Sequence, residues 1–167
     1  PNTIPFSISA NGVRRVFLGT NGDAPNNAVY LPQTEGILTS AGIHVTSDVP
    51  VVVYAHIIRS ARSGASLILP TAVWGKEYIV PSYSSSGASG ANSGYGTITV
   101  VAKEANTVVG ITPTVITRAN QPAGTEYTIT LSQPGDVYQV QFPKDADISG
   151  TKVRSVATAG SSCKPIG

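Results

Sequence analysis

Apolar and polar side chains alternate with a period of two along most of this chain, which is the pattern of half-buried β-strands. The clearest run is the β-branched segment 49–58, which predicts a central strand buried on at least one face. Further predicted strands span residues 4–9, 13–18, 28–31, 42–46, 65–69, 77–80, 96–102, 107–111, 115–117, 125–131, 136–141 and 150–156. We therefore expect an all-β fold: a β-sandwich-type domain of about a dozen short, mainly antiparallel strands.

The residues between these runs are typical of tight turns. Asn11-Gly12 and Asn21-Gly22 supply the positive φ that hairpin turns require, and Pro134-Gly135 marks another turn. With 17 Gly and 12 Pro in 167 residues, long helices have few places to form. Residues 72–76 are the one segment expected to form a helical turn, and Gly75 within it is interpreted as a positive-φ residue.

The composition indicates an extracellular location. Charged residues make up 12% of the chain, against roughly 25% in typical globular domains, so neutral polar side chains must cover the surface. The net charge of +2 arises without a basic run, and we therefore expect no nucleic-acid partner. No apolar stretch is long enough to span a membrane. The single cysteine, Cys163, excludes an internal disulfide and is interpreted as a small buried apolar residue near the last strand.

The search for chemistry finds no nucleophile elbow, zinc-binding helix or phosphate-binding loop in the sequence. Asp136, Asp145 and Asp147 are the candidates for a hydrolase, which we rank last because such a site needs two acids on opposite walls of a cleft. Asp145, Asp147 and Ser149 together resemble a calcium loop, but a further acidic ligand is missing from the spacing. We therefore assign no catalytic residue, no cofactor and no metal.

Residues 82–95 depart from the alternating pattern, because they are almost wholly Ser, Gly, Ala, Asn and Tyr. One interpretation is a long mobile surface loop, most mobile over residues 84–93. The other is a contact loop in which Tyr83, Ser85, Asn92 and Tyr95 bind a partner, because aromatic side chains among small polar ones are common on adaptable binding surfaces. The residues alone favour neither interpretation.

Trp74 is the only tryptophan, and it precedes the predicted strand that contains Tyr78. An exposed Trp74 with Tyr78 beside it would make a stacking platform for a sugar ring. A tryptophan between Val73 and Gly75 is more often a plug that closes one end of a sandwich. We therefore predict that Trp74 is mostly buried and has no flat aromatic partner.

Several phrases of the sequence follow one another in the order and spacing of a known family. They are residues 42–56 (GIHVTSDVPVVVYAH), 67–83 (LILPTAVWGKEYIVPSY), 98–113, 134–141 and 147–167. In these phrases the chain resembles the IgGFc-binding protein N-terminal domain family over all but its first residues. The resemblance implies a β-sandwich module of large secreted proteins, found in animal mucus proteins and bacterial surface proteins, with no catalytic residues. The absence of disulfides and of glycosylation sequons favours the bacterial branch.

Three functions remain open on the sequence. The first is a non-catalytic structural or adhesion module, secreted or on the cell surface, that binds a protein or glycan on another surface and forms part of a fibre or large adhesin. The second is a carbohydrate-binding module, and the third is the hydrolase. We expect residues 1–167 to form one domain of a longer multidomain chain, with an open strand edge near Ile166 that can take part in self-assembly.

Overall fold

The computed structural model describes residues 3–18, 35–59, 62–83 and 94–167. Within these ranges the chain forms nine strands and one short 3-10 helix, Thr71–Val73. The strands are β1 (Glu35–Leu38), β2 (Val53–Arg59), β3 (Arg62–Ile68), β4 (Glu77–Ile79), β5 (Tyr95–Val101), β6 (Thr107–Thr112), β7 (Tyr127–Leu131), β8 (Val137–Lys144) and β9 (Lys152–Val156). The predicted all-β class is therefore confirmed.

The strands form three antiparallel sheets. One has the order β1-β8-β5, the second has the order β4-β9-β6-β7, and the third is the hairpin of β2 and β3. The buried side chains of the first two sheets belong to one apolar cluster, so these sheets pack face to face as a sandwich. The expectation of a β-sandwich-type fold is correct for this part of the chain.

The core of the sandwich comes from the second half of the chain. On the first sheet, Tyr138, Val140 and Phe142 of β8 face inwards beside Ile98 and Val100 of β5. The opposite sheet and two loops contribute further buried apolar side chains, which are Val109, Ile111, Leu131, Val153, Ile148 and Ile166. All of these lie between residues 94 and 167, so the sandwich depends on this half of the chain for its apolar burial.

Two of the turns predicted from glycine pairs are confirmed. Asn11 has a φ of 59°, and the Gly12 N–H donates to the Ser9 carbonyl at 2.8 Å, as a tight turn requires. Gly135 has a φ of 81° in the turn before β8, where a side chain would be strained. The Asn21-Gly22 pair and the predicted strand 28–31 lie outside the described residues.

The prediction of a buried central strand at 49–58 is wrong. Residues 53–59 do form β2, but β2 pairs with β3 alone among the described strands, and its side chains Tyr54 and Ile57 are 65% and 74% exposed. A β-branched run predicts that the backbone is extended. Whether its side chains are buried depends on another layer of structure that packs over them, and the run contains no information about that layer.

The pattern also predicts strands that the structure does not contain. Residues 4–9, 13–18, 42–46 and 115–117 form no strand. Conversely, β1 begins with Glu35 and Gly36, both poor strand formers, and exists because it pairs with β8. Whether such a segment forms a strand depends on a pairing partner that is distant in sequence, and the local pattern gives no information about that partner.

Candidate functional site

An apolar groove of about 220 Å³ lies between the edge strands β4 and β5 of the two packed sheets. Its lining residues are Tyr78, Ile79, Val80, Pro81, Ile98, Thr99, Val100, Val153, Ile166 and Gly167. None of these side chains carries a charge at neutral pH, so the groove suits an apolar occupant rather than an ionic one. The name "β4–β5 groove" refers to this set of residues.

One end of the β4–β5 groove is closed by the last residues of the chain. The Val101 N–H donates to the Gly167 carbonyl at 2.7 Å, and the Gly167 N–H donates back to the Val101 carbonyl at 3.1 Å. Ile166, which is 1% exposed, bridges to Ala102 on the same side and donates its N–H to Gly75 at 2.9 Å on the other. Ile166 and Gly167 therefore lie along the edge of β5.

The residues proposed as a glycan platform hold this chain end in place. The Tyr78 hydroxyl accepts a hydrogen bond from the Gly75 N–H at 2.7 Å and donates one to the Ile166 carbonyl at 2.8 Å. Trp74 is partly buried, and its indole ring packs directly on Gly167. Gly75 does not have the positive φ predicted for it. Its lack of a side chain matters instead because a Cβ there would lie 3.3 Å from the Tyr78 ring.

The remaining length of β5 presents an open edge to the groove. Both the N–H and the C=O of Val101 are hydrogen-bonded to Gly167. Backbone groups alternate in direction along an antiparallel strand, so the N–H and C=O groups of Thr99 and Thr97 also point away from β8. In the described ranges no strand pairs with this edge. Among the described residues, Ile166 and Gly167 are the ones that pair along this edge, beside the apolar floor of the groove.

The β2–β3 hairpin is the second exposed surface of note. Its register places Tyr54 opposite Leu67, and these two side chains are 65% and 50% exposed. On the other face Ile57 and Ile68 are 74% and 46% exposed. Both faces of the hairpin therefore present large apolar side chains to solvent.

The ends of the proposed contact loop lie in different environments. Tyr83 is 92% exposed. Tyr95 is 41% exposed and lies under the Arg118 guanidinium, whose centre is 3.7 Å from the ring centroid, a cation–π geometry. Ser85 and Asn92, together with the segment 84–93, lie outside the described residues.

The candidate acids do not converge on a cleft. Asp136 is 2% exposed, and its two oxygens accept backbone N–H groups of Ser40 at 2.9 Å and Gln133 at 2.8 Å, which fixes the turn before β8. Asp147 is exposed, and its hydrogen bonds from Ser149 lower the pKa of its carboxyl. Among the described residues no His, Cys, Asp or Glu side chains cluster closely enough to hold a metal ion.

One polar cluster of the sandwich is not predicted by the sequence. The Tyr138 hydroxyl donates to the Glu35 carboxylate and lies 3.2 Å from the Tyr127 hydroxyl. Burial, and then the bond to Glu35, raise the pKa of Tyr138, and burial raises the pKa of Tyr127 to about 12. The cluster joins β1, β7 and β8, and its members are far apart in sequence, so no local motif could have indicated it.

The sequence also does not predict that Ile79, Val80 and Thr99 line a groove. A strand pattern indicates which residues alternate, but not which strand edge remains open.

Comparison with known proteins identifies one family. A family model described as IgGFc binding protein matches residues 64–167, which is more than half of the chain. The phrase 42–56, part of the resemblance seen in the sequence, lies before this match. No curated protein and no solved structure matches the chain. In the described part of the chain, no helix has the length and apolar character needed to cross a bilayer.

Proposed function

Because this chain belongs to the IgGFc binding protein family, we propose that it is a non-catalytic adhesion or structural module whose β2–β3 hairpin binds a protein on another surface. The family is one of extracellular, non-enzymatic, protein-binding modules. The adhesive role, a bacterial cell-surface location and the use of the hairpin are the parts that we add.

The observation that carries this proposal is the exposure of the hairpin. A lone two-stranded hairpin is marginally stable in water, and soluble monomers rarely expose large contiguous apolar patches unless they bind something. Tyr54, Ile57 and Leu67 are each at least half exposed on two paired strands. A partner that covers the face bearing Ile57 and Ile68 would bury these two side chains and stabilise the hairpin, since each large apolar side chain contributes about 1.5–3 kcal/mol on burial.

The charges around the hairpin indicate the chemistry of the partner. From Val49 to Lys76 the sequence contains no Asp or Glu, whereas it contains Arg59, Arg62 and Lys76. The complementary surface is an apolar patch bordered by carboxylates, which is a protein surface rather than a neutral glycan. The loop bearing Tyr83, Ser85, Asn92 and Tyr95 is a second candidate contact region of the same module.

The test measures adhesion of beads coated with the domain to layers of IgG Fc fragment, fibronectin or collagen under flow. We expect the wild-type domain to adhere to at least one layer, and Ile57→Glu to abolish that adhesion because it places a carboxylate on the exposed face. The matched control is Ile116→Glu, because Ile116 is 50% exposed and lies outside the hairpin.

Adhesion that is absent from every layer, or equal for Ile57→Glu and wild type, would contradict the proposal. Binding on a glycan array that Trp74→Ala abolishes, without protein adhesion, would support the carbohydrate-binding alternative instead.

A further inference from the structure

Two basic side chains, Arg118 and Lys144, contact the ring of Tyr95 on the β1-β8-β5 sheet. The guanidinium carbon of Arg118 lies 3.7 Å from the ring centroid, and the Lys144 Nζ lies 5.5 Å from it. Both distances are within the range of a cation–π interaction. One aromatic ring therefore brings together two positive charges from distant parts of the chain.

An irregularity in β8 places Lys144 on this surface. Phe142 points into the core, so a regular strand would direct Lys144 inwards as well. The register between β5 and β8 shifts between the pair Thr97–Gln141 and the pair Tyr95–Lys144, which adds one residue to β8. Such a bulge turns the following side chains to the opposite face. Lys144 therefore lies on the outer face of the sheet, opposite Tyr95.

The guanidinium of Arg118 is held in one orientation. The Arg118 N–H donates to the Gln141 carbonyl at 2.9 Å, and its Nη1 donates to Oε1 of the same glutamine at 2.6 Å. The loop closes on Thr117, whose carbonyl accepts the Asn120 N–H at 3.0 Å and whose hydroxyl accepts the Gln121 N–H at 3.0 Å. Most side-chain N–H groups of Arg118 remain available for a ligand. A guanidinium that is already ordered loses little freedom on binding.

Neither of these two cations is neutralised by a carboxylate. In the described part of the chain no ion pair involves Arg118 or Lys144, and the pair of Arg154 with Glu126 lies on the other sheet. The acid nearest to them in sequence is Asp145, which is exposed and follows Lys144. The two positive charges therefore exceed the negative charge beside them, which favours an anionic ligand.

We propose that Arg118 and Lys144 form a binding site for an acidic polysaccharide. The planar fork of the guanidinium donates two parallel hydrogen bonds to a carboxylate or sulfate group of one sugar, and Lys144 adds a second positive charge beside it. The site lies on the sandwich and not on the hairpin, so it goes beyond the proposed function and does not rest on it.

The surroundings of the site favour a polysaccharide over an acidic peptide. Thr97 and Thr99 are exposed on the outer face of β5, and Thr97 pairs with Gln141. These hydroxyl and amide groups match the hydroxyl groups that every sugar ring presents. A protein partner usually needs large apolar or aromatic anchors, whereas the Tyr95 ring is already covered by Arg118.

The experiment measures binding of the full 167-residue chain to immobilised polysaccharides by surface plasmon resonance. Heparin carries sulfate and carboxylate groups, hyaluronan carries carboxylates alone, and dextran is the neutral control. Poly-glutamate represents an acidic peptide. We expect wild-type protein to bind heparin, hyaluronan or both, and not dextran. This binding should weaken as the salt concentration rises, because salt screens exposed charges.

The variants separate the site from the overall charge of the protein. Arg118→Gln and Lys144→Gln should each weaken binding at least about fivefold, because each removes a charge-assisted hydrogen bond. Lys152→Gln is the matched control, since it removes the same charge from an exposed position on the other sheet and should bind like wild type. Arg118→Lys keeps the charge without the fork and should also bind more weakly. Tyr95→Leu should weaken binding, whereas Tyr95→Phe, which keeps the ring, should not.

The outcomes identify the recognised group or overturn the proposal. Binding to heparin but not to hyaluronan would identify sulfate, and binding to hyaluronan would identify carboxylate. Lys144→Gln changes an exposed side chain, so it tests the site even if Arg118→Gln unfolds the protein. Absence of binding to both acidic polysaccharides, equal affinities of Lys144→Gln and Lys152→Gln, or equally tight binding to poly-glutamate would overturn the proposal.

Discussion

The guanidinium of Arg154 binds both carboxylate oxygens of Glu126, with Nε to Oε2 at 2.6 Å and Nη2 to Oε1 at 2.7 Å. This pair crosses β6 at Gly110, which is opposite Arg154 in the sheet. A Cβ at Gly110 would lie 2.9 Å from the carboxyl carbon of Glu126, so the pair requires a glycine there. The hydrogen bonds from Arg154 lower the pKa of Glu126.

The first prediction is a pH dependence of stability that comes from Glu126. Because its folded pKa is lowered, its contribution is present above its unfolded pKa of about 4.3 and is lost as pH falls through the lower folded value. The loss is small, since both side chains are partly exposed. Urea unfolding between about pH 6 and pH 3 should show a shallower decline in the free energy of unfolding for Glu126→Gln than for wild type. Parallel curves would show that the pair contributes nothing to stability.

The second prediction compares two isoleucines with opposite exposure. Ile111 is fully buried between the two sheets, whereas Ile57 of the hairpin is 74% exposed. Ile111→Ala should lower the free energy of unfolding by about 2–5 kcal/mol, because it removes packed methyl groups and leaves a cavity. Ile57→Ala should change it by about 0.5 kcal/mol or less. Equal losses in denaturant unfolding would mean that the hairpin is part of the cooperative core.

The sequence predicts the sandwich better than it predicts the remainder of the chain. Strands β5 to β9 were anticipated, because alternating burial between two sheets leaves a period-two pattern. Residues 4–9 carry the same pattern without forming a strand, since a pattern does not specify its partner. The groove is harder to predict from the sequence than the strands are, because it exists only after folding has brought Tyr78, Thr99 and Ile166 to its border.

The third prediction concerns the buried tyrosines. The pKa of Tyr127 is raised to about 12 and that of Tyr138 is also raised, mainly by burial. Their contribution to stability is full below the unfolded tyrosine pKa of about 10, and it is lost as pH rises from there through the folded values. Tyr127→Phe should therefore flatten the decline in the free energy of unfolding between about pH 10 and pH 12.

Tyr83→Phe is the control for this measurement, because Tyr83 is 92% exposed. It should decline like wild type. If the Tyr83 and Tyr127 variants behave alike, burial of the Tyr127 hydroxyl does not contribute to alkaline stability.

The fourth prediction uses the single tryptophan as a reporter of the chain end. A Cβ on Gly167 would lie 2.7 Å from Cε2 and 2.8 Å from Cζ2 of Trp74, so Gly167→Ala must displace the indole. We expect a red-shifted emission, stronger quenching by acrylamide and a stability loss of about 1–3 kcal/mol, as overpacking usually causes. Gly64→Ala, which adds its methyl group in open space, should leave the emission unchanged. An unshifted spectrum for Gly167→Ala would contradict the observed packing of Trp74.

The pairing of strands also determines when this protein can fold during synthesis. Glu35 of β1 pairs with Val140 of β8, and Tyr78 of β4 pairs with Val153 of β9, so β1 and β4 can pair only after strands much later in the sequence have been made. Contacts between residues so distant in sequence form slowly, because a long loop must close before any contact is gained. The two sheets of the sandwich can therefore close around their core only after β8 and β9 have been synthesised, whereas the β2–β3 hairpin can form earlier.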